Sequence, residues 1–198
     1  MNSPTHTLLA LALLSKRGDR KRNWAVALGS IIPDVAIYLW APYQRFVNGV
    51  SGEKLWRELY FAEPMQNLIA YFNSIPIYGA LAILGYVMRA KTWGKLMLFF
   101  ALAALTHMAT DLPVHNHDAY RHFWPLSDWR FISPLSYYES EHHAGWVMVV
   151  ELAIWVISSI VLWKRFPHRW VKAVLIGLPL SLIRIALLFL FGILSFSG

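Results

Sequence analysis

The chain has 198 residues, of which 57% are hydrophobic and 15% are charged, and its mean hydropathy is +0.43. A soluble domain has about 45–50% apolar and about 25% charged residues, so this composition excludes an ordinary cytosolic enzyme, a secreted disulfide module and a disordered tail. The absence of cysteine excludes disulfides, thiolate metal sites and cysteine nucleophiles. The formal net charge of +7 is consistent with nucleic-acid binding only if the basic residues lie on one binding face.

Six apolar stretches follow one another along the chain, at residues 4–14, 24–41, 65–88, 93–110, 144–163 and 171–196. A helix that crosses a bilayer needs about 20 such residues. The third, fifth and sixth stretches reach that length, the second and fourth are marginal, and the first is too short to cross alone. The pattern predicts an all-α, polytopic membrane helix bundle with about five to six membrane helices and short interfacial helices. Without repeats or linkers, residues 1–198 are predicted to form one domain.

The first apolar stretch does not read as a signal peptide, because its positive charges follow the apolar run and no small-residue cleavage site is present. We therefore expect the stretch to be retained. The chain is expected to be a multi-pass protein of a bacterial-type inner membrane.

Basic residues concentrate in the connectors 16–22, 89–95 and 164–172, which hold five, three and four of the 18 lysines and arginines. Short loops rich in Lys and Arg stay on the cytoplasmic side. The three basic connectors are every second connector along the chain. A single topology with both termini outside therefore places all three on the cytoplasmic side. The positive charge thus indicates orientation, and no nucleic-acid partner is expected.

The connectors 42–64 and 112–143 then face the outside. Within the first, residues 55, 56, 59 and 60 are apolar at helical spacing. This spacing predicts either a short amphipathic helix on the membrane surface or a lid that packs on the bundle.

Polar residues inside the apolar stretches share one depth. Five of them lie ten to thirteen residues from the nearest basic connector: His6, Asp34, His107, Glu151 and Arg184. At 1.5 Å per residue this distance corresponds to about 15–20 Å from the cytoplasmic surface. Ionisable groups at such depth normally face the interior of a bundle or a water-filled cavity. The five residues are therefore expected to form one polar layer, with Asn73 slightly further out.

The fourth apolar stretch ends in a potential metal-binding pair. His107 and Asp111 are four residues apart and share one helix face. An imidazole nitrogen and a carboxylate oxygen on adjacent turns can bind the same divalent cation. This spacing alone is a weak signal, but His6 and Asp34 at matching depth favour a metal site.

A second group of potential ligands follows in the outer connector: His115, His117, Asp118, His122, Glu139, Glu141 and His142. Histidines and carboxylates without cysteine favour Zn²⁺, or Mn²⁺ or Fe²⁺, in a nitrogen-and-oxygen site. So many ligands suggest two or three metals, or one metal whose ligands are held by further polar groups. The alternative is a polar, pH-sensitive surface loop.

At these residues the sequence resembles the YdjM-type membrane-bound metal-dependent hydrolases. The resemblance covers residues 1–145 and is carried by Thr5-His6-Thr7, Pro33-Asp34 and the His107-to-Asp111 helix end. The order of ligands is also distantly similar to that of zinc-dependent bacterial phospholipase C, a helical enzyme with three zinc ions. The resemblance implies a membrane-bound hydrolase with a divalent metal.

Two positions depart from that family. Pro-Asp-x-Asp is usual there, whereas Asp34 is followed by Val35 and Ala36, and Asn73 stands where a central histidine is usual. An amide oxygen is a weaker zinc ligand than imidazole, so one metal position is expected to be altered or vacant.

The leading hypothesis is hydrolysis of a phosphoester in a membrane lipid or lipid-linked substrate, at the non-cytoplasmic face. The expected metal ligands are His6, Asp34, His107 and Asp111, and a second set of ligands is expected to comprise His115, His117, Asp118 and His142. Proton transfer is an alternative role for five residues of the outer connector: His115, His117, Asp118, His122 and His142. Glu139 or Glu141 is a potential general base and His122 a potential acid. Arg184 would bind phosphate charge or else form a buried ion pair with Glu151 or Asp34.

Two alternatives stay open. One is a metal transporter. Three features argue against it: inverted repeats are absent, few broken helices are expected, and the histidines concentrate on one side of the membrane. The other is a catalytically altered scaffold of the same family, as Asn73 and the missing second aspartate suggest. The oligomeric state is not indicated by the sequence.

Overall fold

Every regular element is a helix in the computed structural model, which describes residues 1–169, 171–173 and 175. The α-helices are α1 (Ser3–Leu14), α2 (Arg20–Ile31), α3 (Val35–Pro42), α4 (Gly52–Lys54), α5 (Glu63–Phe72), α6 (Ile75–Val87), α7 (Thr92–Asp111) and α8 (Ala144–Arg165). Short 3₁₀ turns occupy Ile32–Asp34, Leu112–Val114 and Ser140–His142, and π-helical turns occupy Tyr43–Val47 and Leu55–Leu59. The all-α prediction is confirmed.

Four helical stretches of the described chain are long and apolar enough to cross a membrane: Arg20–Val47, Glu63–Val87, Thr92–Val114 and Ala144–Arg165. The chain is therefore an integral membrane protein. The count falls short of the expected five to six for two reasons. Helix α1 has only 12 residues, or about 18 Å. The apolar stretch 171–196, apart from residues 171–173 and 175, and the predicted site residue Arg184 lie outside the described residues.

Helix α1 is held at both ends by side chains of α8. At its start, the carboxylate of Glu151 accepts hydrogen bonds from the backbone N–H of Asn2 and the hydroxyl of Thr5. At its end, the guanidinium of Arg165 donates to the backbone oxygen and the hydroxyl of Ser15. An acid at the N-terminus and a base at the C-terminus complement the helix dipole. These contacts fix the height of α1 beside α8.

Small residues let α1, α2 and α7 pack closely. Ala10, Val26 and Ala103 meet in a core where all three have 0% exposure. A Cβ atom at Gly29 would lie 2.1 Å from the backbone oxygen of Phe100, so only glycine permits this approach of α2 to α7. Close backbone approach through small residues is the usual way in which membrane helices associate. It brings the end of α2 against the last turns of α7.

Two of the four long stretches are interrupted, which differs from the expectation of few broken helices. The first changes to a 3₁₀ turn at Ile32–Asp34. The second breaks between α5 and α6, where Ser74 is extended and caps α6 through its hydroxyl. The outer connector docks into this break, since the N–H of Ile75 donates to the backbone oxygen of His122 at 2.8 Å. The break thereby positions part of the site.

The connector 42–64 packs on the bundle along one face. Leu55 and Tyr60 are buried, and Tyr60 joins a core cluster with Met65 and Ile69 of α5. Trp56 on the other face is half exposed. The observed packing is that of a lid; contact of the exposed face with a membrane stays a prediction.

Candidate metal centre

The start of α1 and the end of α7 bring two histidines and a carboxylate together. The Nε2 atoms of His6 and His107 lie 2.9 Å from Asp111 Oδ1 and Oδ2, respectively. One ligand atom from each of the three residues lies within 4.8 Å of the others. The side chains are buried, with exposures of 1%, 1% and 2%. Such a group could hold a metal ion.

Helix geometry explains the convergence. His107 and Asp111 are one turn apart on α7 and therefore lie on the same face. His6 enters from α1, and its ring stacks on that of His107 with centroids 3.7 Å apart and an interplanar angle of 18°. Stacking aligns the two rings, so both Nε2 atoms face the same carboxylate.

Hydrogen bonds at Nδ1 determine which nitrogen of each neutral ring is available. His107 Nδ1 lies 2.8 Å from the backbone oxygen of Ser30, which can only accept, so Nδ1 carries the hydrogen. His6 Nδ1 lies 2.9 Å from the hydroxyl of Thr110. That hydroxyl donates its own hydrogen to backbone oxygens of α7 and therefore accepts from His6. Both neutral imidazoles thus present an unprotonated Nε2, as metal-binding histidines do.

The Nε2 atoms of His6 and His107 are available to a cation. Although each Nε2 is close to Asp111, neither makes an aligned hydrogen bond within the described residues, and both atoms are buried. Zinc binds nitrogen and oxygen ligands at about 2.0–2.2 Å, and a buried nitrogen without an aligned donor is available to such an ion.

Asp34 borders the group and is oriented by its own hydrogen-bond chain. Its Oδ1 lies 3.6 Å from His107 Nε2, and its Oδ2 accepts a hydrogen bond from the hydroxyl of Ser3. The hydroxyl of Tyr38 donates to Ser3 Oγ at 2.6 Å. Asp34 is therefore held with one oxygen directed at the histidines, where it could supply a fourth ligand.

Asp111 also contacts two further groups. The α-ammonium of Met1 lies 2.9 Å from its Oδ1, and His115 Nε2 lies 3.5 Å from the same oxygen. Four nitrogen atoms of the described residues thus lie within 3.5 Å of the buried carboxylate, which compensates the cost of burying its charge.

His115 forms a second, distinct pair with Asp118. Its Nδ1 lies 2.8 Å from Asp118 Oδ2, so the carboxylate orients the ring and turns Nε2 towards Asp111. Burial alone would lower the pKa of His115, but the carboxylates of Asp111 and Asp118 outweigh it and raise the pKa. This arrangement can take up and return a proton.

An open cavity of about 210 Å³ adjoins these residues. Its polar lining includes Ser3, Asp34, Asp111, His115, Tyr120 and Tyr137. Burial raises the pKa of Tyr120 and of Tyr137 well above the usual range, so both phenols stay protonated. The hydroxyl of Tyr60 donates to that of Tyr120 at 3.3 Å, which leaves the Tyr120 hydrogen for another acceptor. The cavity can therefore bind an oxygen-rich group.

His122 and Asn73 form a neighbouring polar contact. His122 Nδ1 lies 3.1 Å from the backbone oxygen of Asn73 and donates to it. The Asn73 amide N–H groups bind the backbone oxygens of Pro33 and Ile69, so this side chain ties α5 to the residue before Asp34. His122 Nε2 and Asn73 Oδ1 are buried without hydrogen-bond partners in the described chain. Burial lowers the pKa of His122, which favours its neutral form.

The remaining predicted residues of the outer connector lie apart from the group of His6, His107 and Asp111. His117 is exposed, with its ring 5.0 Å from that of Phe61. His142 is half buried in the 3₁₀ turn Ser140–His142, and Glu141 beside it is exposed. Glu139 is partly buried, and its Oε2 has no hydrogen-bond partner among the described residues.

Several residues of the site were missed by sequence reasoning. Thr110 could have been found, because it lies three residues after His107 on the same helix. Ser30 contributes its backbone oxygen, and the fold brings Tyr38 of α3 together with Tyr120 and Tyr137 of the outer connector. Glu151, which was expected in the same polar layer, binds the start of α1 through its carboxylate.

Comparison of the chain with protein-family models, with curated proteins and with solved structures gave no match. The interpretation of the site therefore depends on its geometry and chemistry.

Proposed function

We propose that this integral membrane protein is a metal-dependent hydrolase that binds a divalent cation through His6, His107 and Asp111. The observation that carries the proposal is the pair of buried Nε2 atoms, each fixed by a hydrogen bond at Nδ1 and each directed at one carboxylate. With both rings neutral and no cation bound, the two Nε2 atoms would be buried acceptors without a partner, which is costly.

The donor set favours zinc. Two imidazoles and one carboxylate are the ligands of well-known catalytic zinc sites, whereas structural zinc sites have four protein ligands and no open position. Here Asp111, one of the three ligands, lines a cavity together with Asp34. A three-residue ligand set that borders open space supports a catalytic site, and Asp34 is placed to complete or exchange that set. Mn²⁺ and Fe²⁺ suit the same atoms.

The reaction we propose is hydrolysis of a phosphoester. When bound, the metal would lower the pKa of a coordinated water to about 7 and polarise a phosphoryl oxygen. His115, oriented by Asp118, takes the proton that the water loses and returns it to the alcohol oxygen of the leaving group. The new bond joins the water oxygen to phosphorus as the ester P–O bond breaks. Tyr120 and Tyr137 donate hydrogen bonds to phosphoryl oxygens.

The proposed substrate is a membrane lipid or lipid-linked phosphoester. The cavity opens beside the first residues of α1, a helix too short to cross the membrane, so lipid tails can stay in the bilayer while the head group reaches the site. The motifs at His6, Asp34 and His107 that resemble membrane-bound hydrolases support the same class. We further propose that this end of the bundle faces away from the cytoplasm, because the basic connectors lie at the other end.

The metal content of the purified protein tests the proposal. We expect about one zinc per chain in the wild type and loss of more than about 100-fold in affinity in His107→Ala, since removing even a ligand's hydrogen-bond partner costs 10–100-fold. His117→Ala is the matched control, because it removes an exposed imidazole near the site. Equal metal content in wild type and His107→Ala would disprove the metal centre.

Hydrolysis is measured separately. A short-chain phospholipid in detergent micelles serves as substrate, and release of the phosphorylated head group is followed. We expect turnover by the wild type and by His117→Ala, and loss in His107→Ala. Metal that is bound without hydrolysis of anionic or zwitterionic phospholipids would refute the hydrolase but not the metal centre.

Metal transport is a second candidate, favoured by the helix interruptions at Ile32–Asp34 and at Ser74. Interrupted membrane helices often surround ion sites in transporters. Zinc uptake into proteoliposomes that is abolished by His107→Ala would support transport, whereas zinc that stays bound through chelator washing would support the hydrolase.

A further inference from the structure

An apolar groove lies at the end of α1 opposite the metal centre. It has a volume of about 680 Å³, a size that is common for ligand pockets, and runs between α1, α2, the end of α8 and the residues Val171 and Leu175 that follow α8. Leu8 and Leu11 of α1, Ala27 of α2, and Leu162 and Phe166 at the end of α8 form its walls. The groove therefore offers a surface for a hydrocarbon chain.

Two arginines stand at the mouth of the groove. Arg17 and Arg20 line it and are exposed, and among the described residues neither makes a hydrogen bond or an ion pair. Their neighbours act differently: Arg22 Nε donates to the backbone oxygen of Leu14 at 2.6 Å, and Arg165 caps the end of α1. Arg22 and Arg165 thus stabilise the fold, whereas Arg17 and Arg20 make no such contact among the described residues.

The turn that carries Arg17 and Arg20 is well fixed. Asn23 binds the backbone of Lys16 twice, through its amide N–H and its amide oxygen. Asp19 caps α2 by accepting a hydrogen bond from the N–H of Arg22, and Gly18 adopts a positive φ of 82° that favours glycine. Because the turn is ordered, the two guanidinium groups are presented at a defined position.

The surroundings of the groove are strongly basic. The connectors 16–22 and 164–172 contain nine lysines and arginines and one acidic residue, Asp19. The carboxylate of Asp19 is occupied by the N-cap of α2. Basic pockets between membrane helices attract anionic lipid head groups, and arginine forms paired hydrogen bonds with phosphate.

We propose that this groove binds one anionic phospholipid, with an acyl chain along the apolar walls and the phosphate group at Arg17 and Arg20. The site is separate from the metal centre and does not depend on the proposed hydrolysis. Charge complementarity selects the occupant, since a zwitterionic lipid would leave the positive charge of the connectors uncompensated.

Tryptophan quenching by brominated lipids provides the test. Trp24 lines the groove and is 58% exposed. The full chain is reconstituted in phosphatidylcholine vesicles that contain increasing fractions of brominated phosphatidylglycerol or brominated phosphatidylcholine. We expect stronger quenching by the anionic lipid, and this excess should disappear in Trp24→Phe. High salt should weaken the excess.

Charge removal identifies the head-group site. Arg17→Gln and Arg20→Gln should each lower the apparent affinity for brominated phosphatidylglycerol about fivefold, from the usual contribution of one basic residue near an anionic lipid. Arg89→Gln, an exposed residue of another basic connector, should leave it unchanged. Both Arg17 and Arg20 are exposed, so the variants are expected to fold.

Three results would overturn the proposal. These are equal quenching by the two brominated lipids, unchanged affinity in Arg17→Gln and Arg20→Gln, and Trp24 quenching that varies with protein concentration at a constant fraction of brominated lipid. The last result would assign the groove to a second copy of the chain.

Discussion

The buried histidines of this protein and the exposed histidines of its outer connector differ in what surrounds them. His6, His107, His115 and His122 are buried, and each has its Nδ1 hydrogen-bonded to an oxygen. His117 and His143 are exposed. A histidine in a defined tautomer with a buried Nε2 can bind a metal or transfer a proton, whereas an exposed ring samples many orientations. Local density of histidines is therefore a poorer guide to the site than burial and Nδ1 partners are.

The buried histidines also differ from one another in what their Nε2 atoms contact. His6 and His107 face Asp111 without any competing donor at Nε2, whereas His115 is bonded to Asp118 and lines the cavity. The first two are suited to hold a cation, and the third is suited to move a proton. This division can be tested with variants that affect only one of the two properties.

The largest expected effect is the difference in hydrolysis between the alanine variants of His115 and of His117, which is only two residues away. His115→Ala should lower hydrolysis of the short-chain phospholipid by about 10²- to 10⁴-fold, the usual contribution of a general base or acid. Its zinc content should stay at the wild-type level, because His6, His107 and Asp111 are intact. Metal analysis and head-group release on the same preparation provide the measurement.

In this comparison His117→Ala should match the wild type in both assays, since its ring contacts Phe61 and lies outside the group of metal-binding residues. If His115→Ala lost zinc together with activity, His115 would be a metal ligand and the proposed division of roles would be wrong.

A smaller effect is expected from Asp118→Asn. The asparagine keeps the shape but removes the charge that orients His115, so hydrolysis should fall about 10- to 100-fold. Asp118 is one of the carboxylates that raise the pKa of His115. Its removal lowers that pKa, so the acidic limb of the rate–pH profile should move to lower pH.

Asp128→Asn is the control for that variant, because Asp128 is an exposed carboxylate that pairs with Arg121 on the same connector at 3.0 Å. It should change neither the rate nor the pH profile. A loss of rate in Asp118→Asn without displacement of the acidic limb would indicate a purely structural role for Asp118.

Much of the fold could be predicted from the sequence, because hydropathy determines where helices lie in a membrane protein. Counting residues from the basic connectors also placed His6, Asp34 and His107 at one depth, and the structure brings these three residues together. Depth was predictable because helical rise is constant.

The direction in which a side chain points around its helix was harder to predict from the sequence. Glu151 lies in the predicted layer but faces the N-terminus of α1, since its orientation depends on how α8 is rotated against α1. The ordering of the outer connector depends on backbone hydrogen bonds, such as that between His122 and Ile75. Sequence periodicity carries no information on such long-range contacts, so His115 could not be distinguished from His117.

The smallest effect we predict concerns Glu151, which holds the helix that carries His6. In Glu151→Gln an amide oxygen can still accept the hydrogen bonds of Asn2 and Thr5, but without the negative charge. A hydrogen bond to a charged group is worth about 1.5–3 kcal/mol and a neutral one about 1 kcal/mol, so stability should fall by about 1 kcal/mol. For a chain of this size the midpoint of thermal unfolding in detergent should fall by about 2–4 °C. Glu53→Gln, at an exposed position, should not alter this midpoint.

Because α1 positions His6 against His107, zinc affinity should decrease together with stability in Glu151→Gln. An unchanged zinc affinity at a lowered midpoint would show that the metal centre does not depend on the attachment of α1 to α8.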